Sequence, residues 1–454
     1  MVADLTPALK LTAQQVHELI EAGDRSALAA FLARQHPADL ADILETLPLD
    51  DRVLLFSLLE TETAAEVLDE TRTDTTVTLI ESLPSERVAD LLEELPADDA
   101  AEVLSELSDK QAAQIIARLE PEEAREIKTL LDYEEETAGR LMATNVVRLQ
   151  AGWSAQHAIE HLRSVDPEAE TLAYLYAVDS GEYLIGIVPI WELLTAASDR
   201  RIEDLMSREV VSVDVNTDQE EVARIVSQYD YYALPVVDAG GRLLGIITHD
   251  DVVDIIQEEF TEDVQRFGGS QPLETSYLST GIITMVRKRV GWLLLLFVTA
   301  TLTGTVMRLF ENELETAVAL SFFIPLLIGT GGNAGSQITS TMIRAIAMGE
   351  VRIADLWRVL GRELTTGALL GAAMGIAGLV RAVTWDTTLH VALTVALALF
   401  ILVIWANLMG VLLPMVASRL RIDPAAISGP VMSTLVDATG LLIYFELARV
   451  ILRL

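Results

Sequence analysis

Residues 429–445 read GPVMSTLVDATGLLIYF, an apolar run in which Asp437 is the only acid. An ionised carboxylate inside a membrane span is costly, so a chain keeps one there for an ion, a proton or a buried partner. Arg449, the nearest basic residue on the same predicted helix, lies twelve positions on, about 18 Å at helical rise and beyond direct pairing. Small residues flank the acid instead: Ser433, Thr434, Ala438, Thr439 and Gly440 let another helix, an ion or water come close. Two readings follow. Asp437 meets a cation on an aqueous path, or it is a protonated or hydrogen-bonded structural acid at a helix interface.

Outward from this run the membrane reading extends to five apolar segments near or above the roughly 20 residues needed to span hydrocarbon, at 290–310, 317–348, 365–385, 391–416 and 427–451. Their loops alternate in charge. Arg287, Lys288 and Arg289 precede the first span, and Glu311, Glu313 and Glu315 follow it. Arg344, Arg352, Arg358 and Arg362 mark the end of the second, and Arg419 and Arg421 follow the fourth. Positive-inside then puts everything before residue 285 in the cytoplasm and the carboxyl terminus outside. Arg449 and Arg453 at that end weaken the assignment. Within the second span, PLLIGTGGNAGSQ (325–337) carries Gly329, Gly331, Gly332 and Gly335 in seven positions. So many glycines are expected to loosen or break a helix, and unwound backbone in lipid lines a wet cavity or is buried in protein. The competing explanation is close packing through the small-xxx-small pair Gly331 and Gly335. Asn333 and Gln337 add polarity that packing alone does not require.

The formal net charge of −36 is lopsided. Residues from 285 on hold 13 Lys/Arg against 10 Asp/Glu, so the first 284 hold 19 basic and 58 acidic groups, a net −39. That charge disfavours nucleic acid as a partner, and the acidic parts pack closely only when counter-ions relieve their repulsion. With no cysteine there is no disulfide or thiolate metal site, which fits a cytosolic setting. The start, MVADLTPALKLTAQQ, lacks the basic flank and apolar core of a signal peptide.

Three soluble segments precede the membrane part (285–454). Residues 1–135 read as short amphipathic helices with a recurring phrase: Leu47-Pro48, Leu83-Pro84 and Leu95-Pro96 are each followed by acids or Ser, and AAEVL occurs at 64–68 and 100–104. Proline and acids suit a helix start, so an all-α, quasi-solenoidal stack of helix pairs is expected. Residues 136–203 and 204–257 then repeat each other. LMATNVVRLQAGWSAQHAIEHL returns as LMSREVVSVDVNTDQEEVARIV at an offset of 64, and Gly186 matches Gly245 at an offset of 59. The difference is an insertion near 166–170. Each copy reads as an extended start, a helix, two strands joined by a Gly-bearing turn and a further helix. This α/β pair resembles tandem cystathionine-beta-synthase (CBS) domains, modules that commonly bind adenine nucleotides or sense ions. Thr248-His-Asp-Asp251 matches the family's nucleotide phrase, whose acid can hold a ribose, and Tyr174, Tyr231 and Pro235 are candidates to frame an adenine, which makes ATP a candidate ligand. Pro189 and Glu192 stand at the equivalent positions of the first copy and depart from that phrase. Last, residues 258–284 form a linker whose helix bears Glu258, Glu259, Glu262 and Asp263 at helical spacing and ends at Gly268-Gly269.

This order of parts resembles the MgtE family of bacterial magnesium channels over nearly the whole chain, most specifically in PLLIGTGGNAGSQ and VDATGLLIY. The resemblance implies an inner-membrane homodimer with its ion path on the two-fold axis, and a plug helix at about 254–277. It implies a magnesium path formed by Asp437 with Ser433, Gly329 and Gly332 nearby, and Asn333 as a further polar candidate. Family sensor acids map onto Glu66, Asp98, Glu220, Asp230, Asp251, Asp254, Glu259, Glu262 and Asp263, with Glu102 a conservative match. Gln257 and Ser336 depart from the family pattern. The implied activity is Mg2+ import, closed by internal Mg2+ bridging the acidic domains. A coupled secondary transporter is the nearest alternative, since one membrane acid serves either mechanism, and a nucleotide-sensing receptor without flux is another. An enzyme is not expected. An intramembrane protease needs a second acid or HExxH, and a pump needs a Walker or phosphorylation motif; neither appears.

Overall fold

The computed structural model describes residues 15–20, 22, 25–164, 174–273, 277, 280–420 and 422–453, without the side chains of 425–430. The insertion expected near 166–170 lies outside these residues. Two compact units divide between Gln257 and Glu258.

In the first unit, short helices run from α1 (Arg25–Leu32) through α2 (Pro37–Thr46), α3 (Leu49–Phe56), α4 (Thr61–Asp69), α5 (Thr73–Ser82), α6 (Ser85–Leu92), α7 (Ala97–Ser105) and α8 (Asp109–Ile116) to α9 (Glu123–Leu131). The Leu-Pro phrases do what their chemistry suggests. Pro48, Pro84 and Pro96 sit in extended backbone immediately before α3, α6 and α7, and acids fill the turn that follows. From α2 on, each helix packs on the next but one, α2 on α4, α4 on α6, α6 on α8, and likewise α3, α5, α7 and α9. This is the expected solenoid-like stack, cored by apolar residues of every helix, most often Leu, Ala or Ile.

Two three-stranded sheets follow. β1 (Arg148–Gln150) pairs parallel with β2 (Tyr174–Val178), which pairs antiparallel with β3 (Leu184–Pro189). β4 (Val213–Asp214), β5 (Ala233–Val237) and β6 (Leu243–Thr248) repeat the pattern. Helices α10 (Ala155–Leu162), α11 (Ile190–Thr195), α12 (Ile202–Leu205) and α13 (Gln219–Tyr229) complete the pair. Both copies shift register at the same place, Ala177/Val178 and Val236/Val237, and in both turns one Asp caps two backbone N–H groups. Asp179 Oδ1 accepts from Gly181 and Tyr183, and Asp238 Oδ1 from Gly240 and Arg242. The extended starts are exchanged between copies. Ala143 bridges Ile246, and Ser207 bridges Ile187. A Cβ at Gly245 would lie 2.5 Å from Ala143 O, and one at Gly186 2.6 Å from Met206 Sδ; glycine is what lets each opening Leu-Met segment lie against the other copy's sheet.

The last strand feeds α14 (His249–Phe267), a single helix that joins the second copy to the linker. Gly269, with φ of 74°, ends it in the left-handed conformation that glycine adopts without strain. The plug helix expected over 254–277 is therefore helical only to Phe267.

In the second unit, α15 (Ile282–Leu309), the short α16 (Glu311–Thr316), a 3-10 turn (Val318–Phe323), α17 (Ile324–Ala347), α18 (Leu356–Thr384), α19 (Leu389–Arg419) and α20 (Pro424–Leu452) form the membrane part. Among the described residues four helical stretches are long and apolar enough to cross a membrane: 282–309, 318–347, 353–384 and 389–419. α20, of 29 residues, is about 43 Å long. α19 is the central helix, packed on α17, α18 and α20. Its contact with α18 is a ladder of absent side chains: Cβ atoms at Gly371 and Gly375 would lie 2.6 Å from Phe400 O and 2.8 Å from Ala396 O, the close backbone approach that small-xxx-small spacing permits.

One expectation is overturned. The helix does not break at the glycine run; α17 is continuous from Ile324 to Ala347. Gly331 faces Val436 and Leu402, with a Cβ 2.8 Å from Val436 Cγ1, and Gly335 faces Met432 at 2.6 Å. Packing against α19 and α20 holds the helix that isolated propensity would have loosened.

Candidate functional site

The membrane acid sits at the seam of α17 and α20. A Cβ at Gly332 would lie 3.9 Å from Asp437 Oδ1 and 3.7 Å from Ser433 Oγ, so the missing side chain keeps a space in front of the carboxylate. Oδ1 is buried and has no hydrogen-bond partner among the described residues. Its flanks are held rigidly. Val436 is buried, Gly440 packs on Leu402, and Trp405 Nε1 donates to Thr439 Oγ1 at 2.8 Å. Gly329, Gly332 and Asn333 share one face of α17 through i, i+3, i+4 spacing; Gly329 and Asn333 are exposed, and a Cβ at Gly329 would meet nothing within 4 Å.

Arg449 does not serve Asp437. Its Nη2 lies 2.6 Å from Glu313 Oε1, its Nη1 3.2 Å from Glu446 Oε1, and its guanidinium covers the Phe310 ring at 4.9 Å. Glu313 is buried, and Tyr444 Oη donates to Leu320 O at 3.0 Å on the same end of the bundle. These contacts fasten the far end of α20 to the segment that joins the first two membrane helices.

The soluble unit gathers a second group of acids. Asp98 and Asp99, in the first turn of α7, and Asp251, in the first turn of α14, offer carboxylate oxygens within 4.8 Å of one another. Three hard oxygen donors at that spacing suit a divalent cation such as Mg2+ or Ca2+. Further acids crowd round. Burial of its carboxyl, with Glu70, Asp251 and Asp250 nearby, pushes Asp69 up to about 6, opposed by a hydrogen bond with Asp99. Burial raises Glu102 too, with Glu106 and Asp69 adding to it and Arg140 opposing. Asp251 is raised by burial, against hydrogen bonds from Thr248 N at 3.0 Å and Thr248 Oγ1 at 2.5 Å. Burial, Asp250 and Glu70 raise Asp254.

The structure thus brings Asp98 and Asp251 together and sets Glu102 and Asp254 beside them. Glu66 is exposed on α4 one turn before Asp69. Glu220 stands in the first turn of α13, and Asp230 ends that helix with φ of 53°; neither joins the three-carboxylate group. On the linker, Glu262 is ion-paired with Arg266, while burial, Asp423 and Glu259 raise Asp263 to about 6. Sequence reasoning missed Asp69 and Asp99. Asp69 lies three residues past Glu66, a spacing that puts the two on one helix face, while Asp99 simply adjoins a chosen acid in LPADDAAEVL.

Of the nucleotide candidates, Tyr231 stacks on Tyr229 at 5.4 Å and Tyr174 lies 6.4 Å from Tyr232. Pro235 is buried in β5. Asp251 belongs to the acid trio, so a ribose and a cation would compete for it.

A stability prediction follows from the crowded acids. Burial raises the Asp69 carboxyl from the ordinary aspartate value of 3.8 to about 6 in the folded protein, so folding takes up a proton between those values and stability falls as pH rises through that window. Metal-free residues 1–257 should melt several degrees lower at about pH 7.5 than at about pH 5. Asp69→Asn should flatten the difference, and millimolar Mg2+ should raise the melting temperature more at the higher pH; thermal scans at both pH values check this.

A helix bundle with an unpartnered carboxylate oxygen at the seam of two helices, joined to a soluble unit that concentrates carboxylates, is the construction of a membrane protein that handles cations. Comparison with known proteins agrees. The divalent cation transporter family MgtE matches residues 324–447, its intracellular N domain 35–136, and the CBS domain 202–258. The magnesium transporter MgtE of Thermus thermophilus is 40% identical over 320 residues, covering 70% of this chain and 71% of that one, and that of Bacillus subtilis is 33% identical over 316 residues, 70% of each. The crystal structure of the cytosolic domain of the Mg2+ channel MgtE in complex with ATP is 36% identical, with a TM-score of 0.52, over 54% of this chain and 99% of that one. The soluble part of a magnesium transporter aligns with a TM-score of 0.51 at 31% identity, over 55% and 99%. The chain belongs to the MgtE family of magnesium transporters.

Proposed function

We propose that this protein is a channel that admits Mg2+ into the bacterial cytoplasm past Asp437 and closes when internal Mg2+ binds its soluble acids. The observation that carries the reading is the buried, unpartnered Oδ1 of Asp437 facing the space left by Gly332. In a homodimer with the path on its two-fold axis, two Asp437 side chains offer −2 to an ion of +2. Neither acid then remains uncompensated in lipid. Magnesium sheds water reluctantly, so the carboxylates, Ser433, Asn333 and the helix carbonyls of Gly329 and Gly332 hold its hydration shell, weakly enough for release.

Five spans put the soluble unit inside and the carboxyl terminus outside. That orientation rests on Arg287, Lys288 and Arg289 before the first span and on the basic loops after the second and fourth, which outnumber Arg449 and Arg453 at the carboxyl end. Closure begins at Asp98, Asp99 and Asp251, where a dication cancels the carboxylates' repulsion, with Glu66, Glu102, Glu220, Asp230, Asp254, Glu259, Glu262 and Asp263 as further sensor acids. ATP binding to the cytosolic domain of a relative supports a nucleotide site framed by Tyr174, Tyr231, Pro235 and Asp251.

Metal uptake by liposomes holding the purified protein, with internal Mg2+ varied, tests the reading. Uptake should follow gradient and voltage without a coupled ion and should fall about tenfold or more as the internal side reaches millimolar Mg2+. Uptake that needs a second ion's gradient would make it a coupled transporter, and uptake indifferent to internal Mg2+ would remove the gate.

A further inference from the structure

The helix that carries Asp251 and Asp254 in its first turns reads HDDVVDIIQEEFTEDVQRF, with seven acids and a single arginine, Arg266. Arg266 lies in the last turn, and its Nη1 is 2.7 Å from Asp423 Oδ2. Asp423 immediately precedes Pro424, the first residue of α20. The same guanidinium pairs with Glu262 one turn back. Acids crowd this contact: Asp263 lies near Asp423 and Glu259, and burial together with those two carboxylates raises its carboxyl. Without a cation here, the end of the linker and the start of the pore helix would repel. Backbone contacts brace the site, since Gln265 Oε1 accepts from Leu273 N at 2.8 Å and Gln271 N donates to Lys288 O at 3.1 Å.

We propose that Arg266 is a built-in counter-ion that fastens the linker helix to the first residue before α20 without metal, so that cation binding on the linker acts on the helix bearing Asp437 through the Arg266–Asp423 ion pair. The bearing of the pair on closure rests on the gating reading above; the fastening itself does not. Asp437 lies fourteen residues beyond Asp423 on that helix, about 21 Å along a rigid element, so a pull at one end is delivered at the other. A charge-assisted pair between a guanidinium and a carboxylate is directional as well as attractive, which loose screening by bulk ions is not.

Two measurements on the full chain in liposomes separate the fastening from its consequence. The protein has no cysteine, so spin labels at Val264→Cys and Ile422→Cys, both exposed positions, in protein diluted with an excess of the unlabelled parent, report one distance within a chain. In EDTA the parent should give a narrow distribution, Arg266→Gln a broad one, and the swap Arg266→Asp with Asp423→Arg a narrow one again. A parent distribution that narrows only when Mg2+ is added overturns the proposal. In flux, Arg266→Gln should keep the parent's Asp437-dependent uptake at low internal Mg2+ and need about tenfold more Mg2+ to close, with Arg266→Lys and the swap recovering most of that shift. Closure of Arg266→Gln at the parent's Mg2+ concentration overturns the coupling. A parent that never closes with Mg2+ removes the gate, and the label distances in EDTA still decide the fastening.

Discussion

Asp437→Asn is expected to cut magnesium uptake by at least about 100-fold while the protein stays folded. The substitution is isosteric, so the space before Gly332, where a Cβ would lie 3.9 Å from the carboxylate oxygen, is preserved and only charge is lost. Two unit charges a few ångströms apart in a partly buried site interact by several kcal/mol, and each 1.4 kcal/mol is about a factor of ten. A neutral amide also removes a desolvated charge with no protein partner among the described residues, so the melting temperature in detergent should hold or rise. Uptake read with a Mg2+-sensitive dye, beside that melting temperature, gives the answer. Full uptake by Asp437→Asn would return the acid to the structural reading, and a fall in melting temperature would point the same way.

The second large effect concerns the glycine run. Gly331→Val should destabilise the membrane unit by about 2–4 kcal/mol, because its first carbon already falls 2.8 Å from Val436 Cγ1 and 3.1 Å from Leu402 Cδ2. Both neighbours are buried and have nowhere to go. Gly329→Ala meets nothing within 4 Å and should be neutral or stabilising by up to about 1 kcal/mol, the helix propensity difference. Gly332→Ala makes only ordinary contacts with Ser433 and Asp437; it should leave stability intact and reduce flux by narrowing the seam. Thermal unfolding in detergent ranks the three. If Gly329→Ala abolished flux in a well-folded protein while Gly331→Val was tolerated, the run would act by local unwinding and the continuous helix would be the wrong description of the working state.

Much of this architecture is written in local pattern. The Leu-Pro phrases announce helix starts because proline and acids solve the same problem at each one. The doubled CBS copy shows in its offsets of 64 and 59, which the strands keep: β2 and β3 return as β5 and β6 at 59, and β1 as β4 at 64. Asp437 stands out because one charge in an apolar run needs no fold to be conspicuous. Legibility fails where a residue's meaning depends on what lies across from it. The glycine run reads as a weak helix by propensity, and it is a continuous one because Val436, Leu402 and Met432 fill the places where side chains would have been. Asp69 and Asp99 carry no mark that separates them from the many solvated acids of the soluble unit. Only the meeting of α4, α7 and the start of α14 sets Asp69 against Asp99 and near Asp250 and Asp251.

The chain alone determined the order of its parts, the helical and strand periodicities, the concentration of negative charge before residue 285 and the single acid in the apolar run 429–445, since all of these are properties of neighbours in sequence. Tertiary structure decided which acids converge, that Arg449 answers Glu313 rather than Asp437, that Arg266 reaches Asp423 across 157 residues, and that Gly331 and Gly335 pack a seam where a break was expected. Those outcomes depend on distances between elements far apart in the chain, and local sequence does not specify such distances until the core has packed.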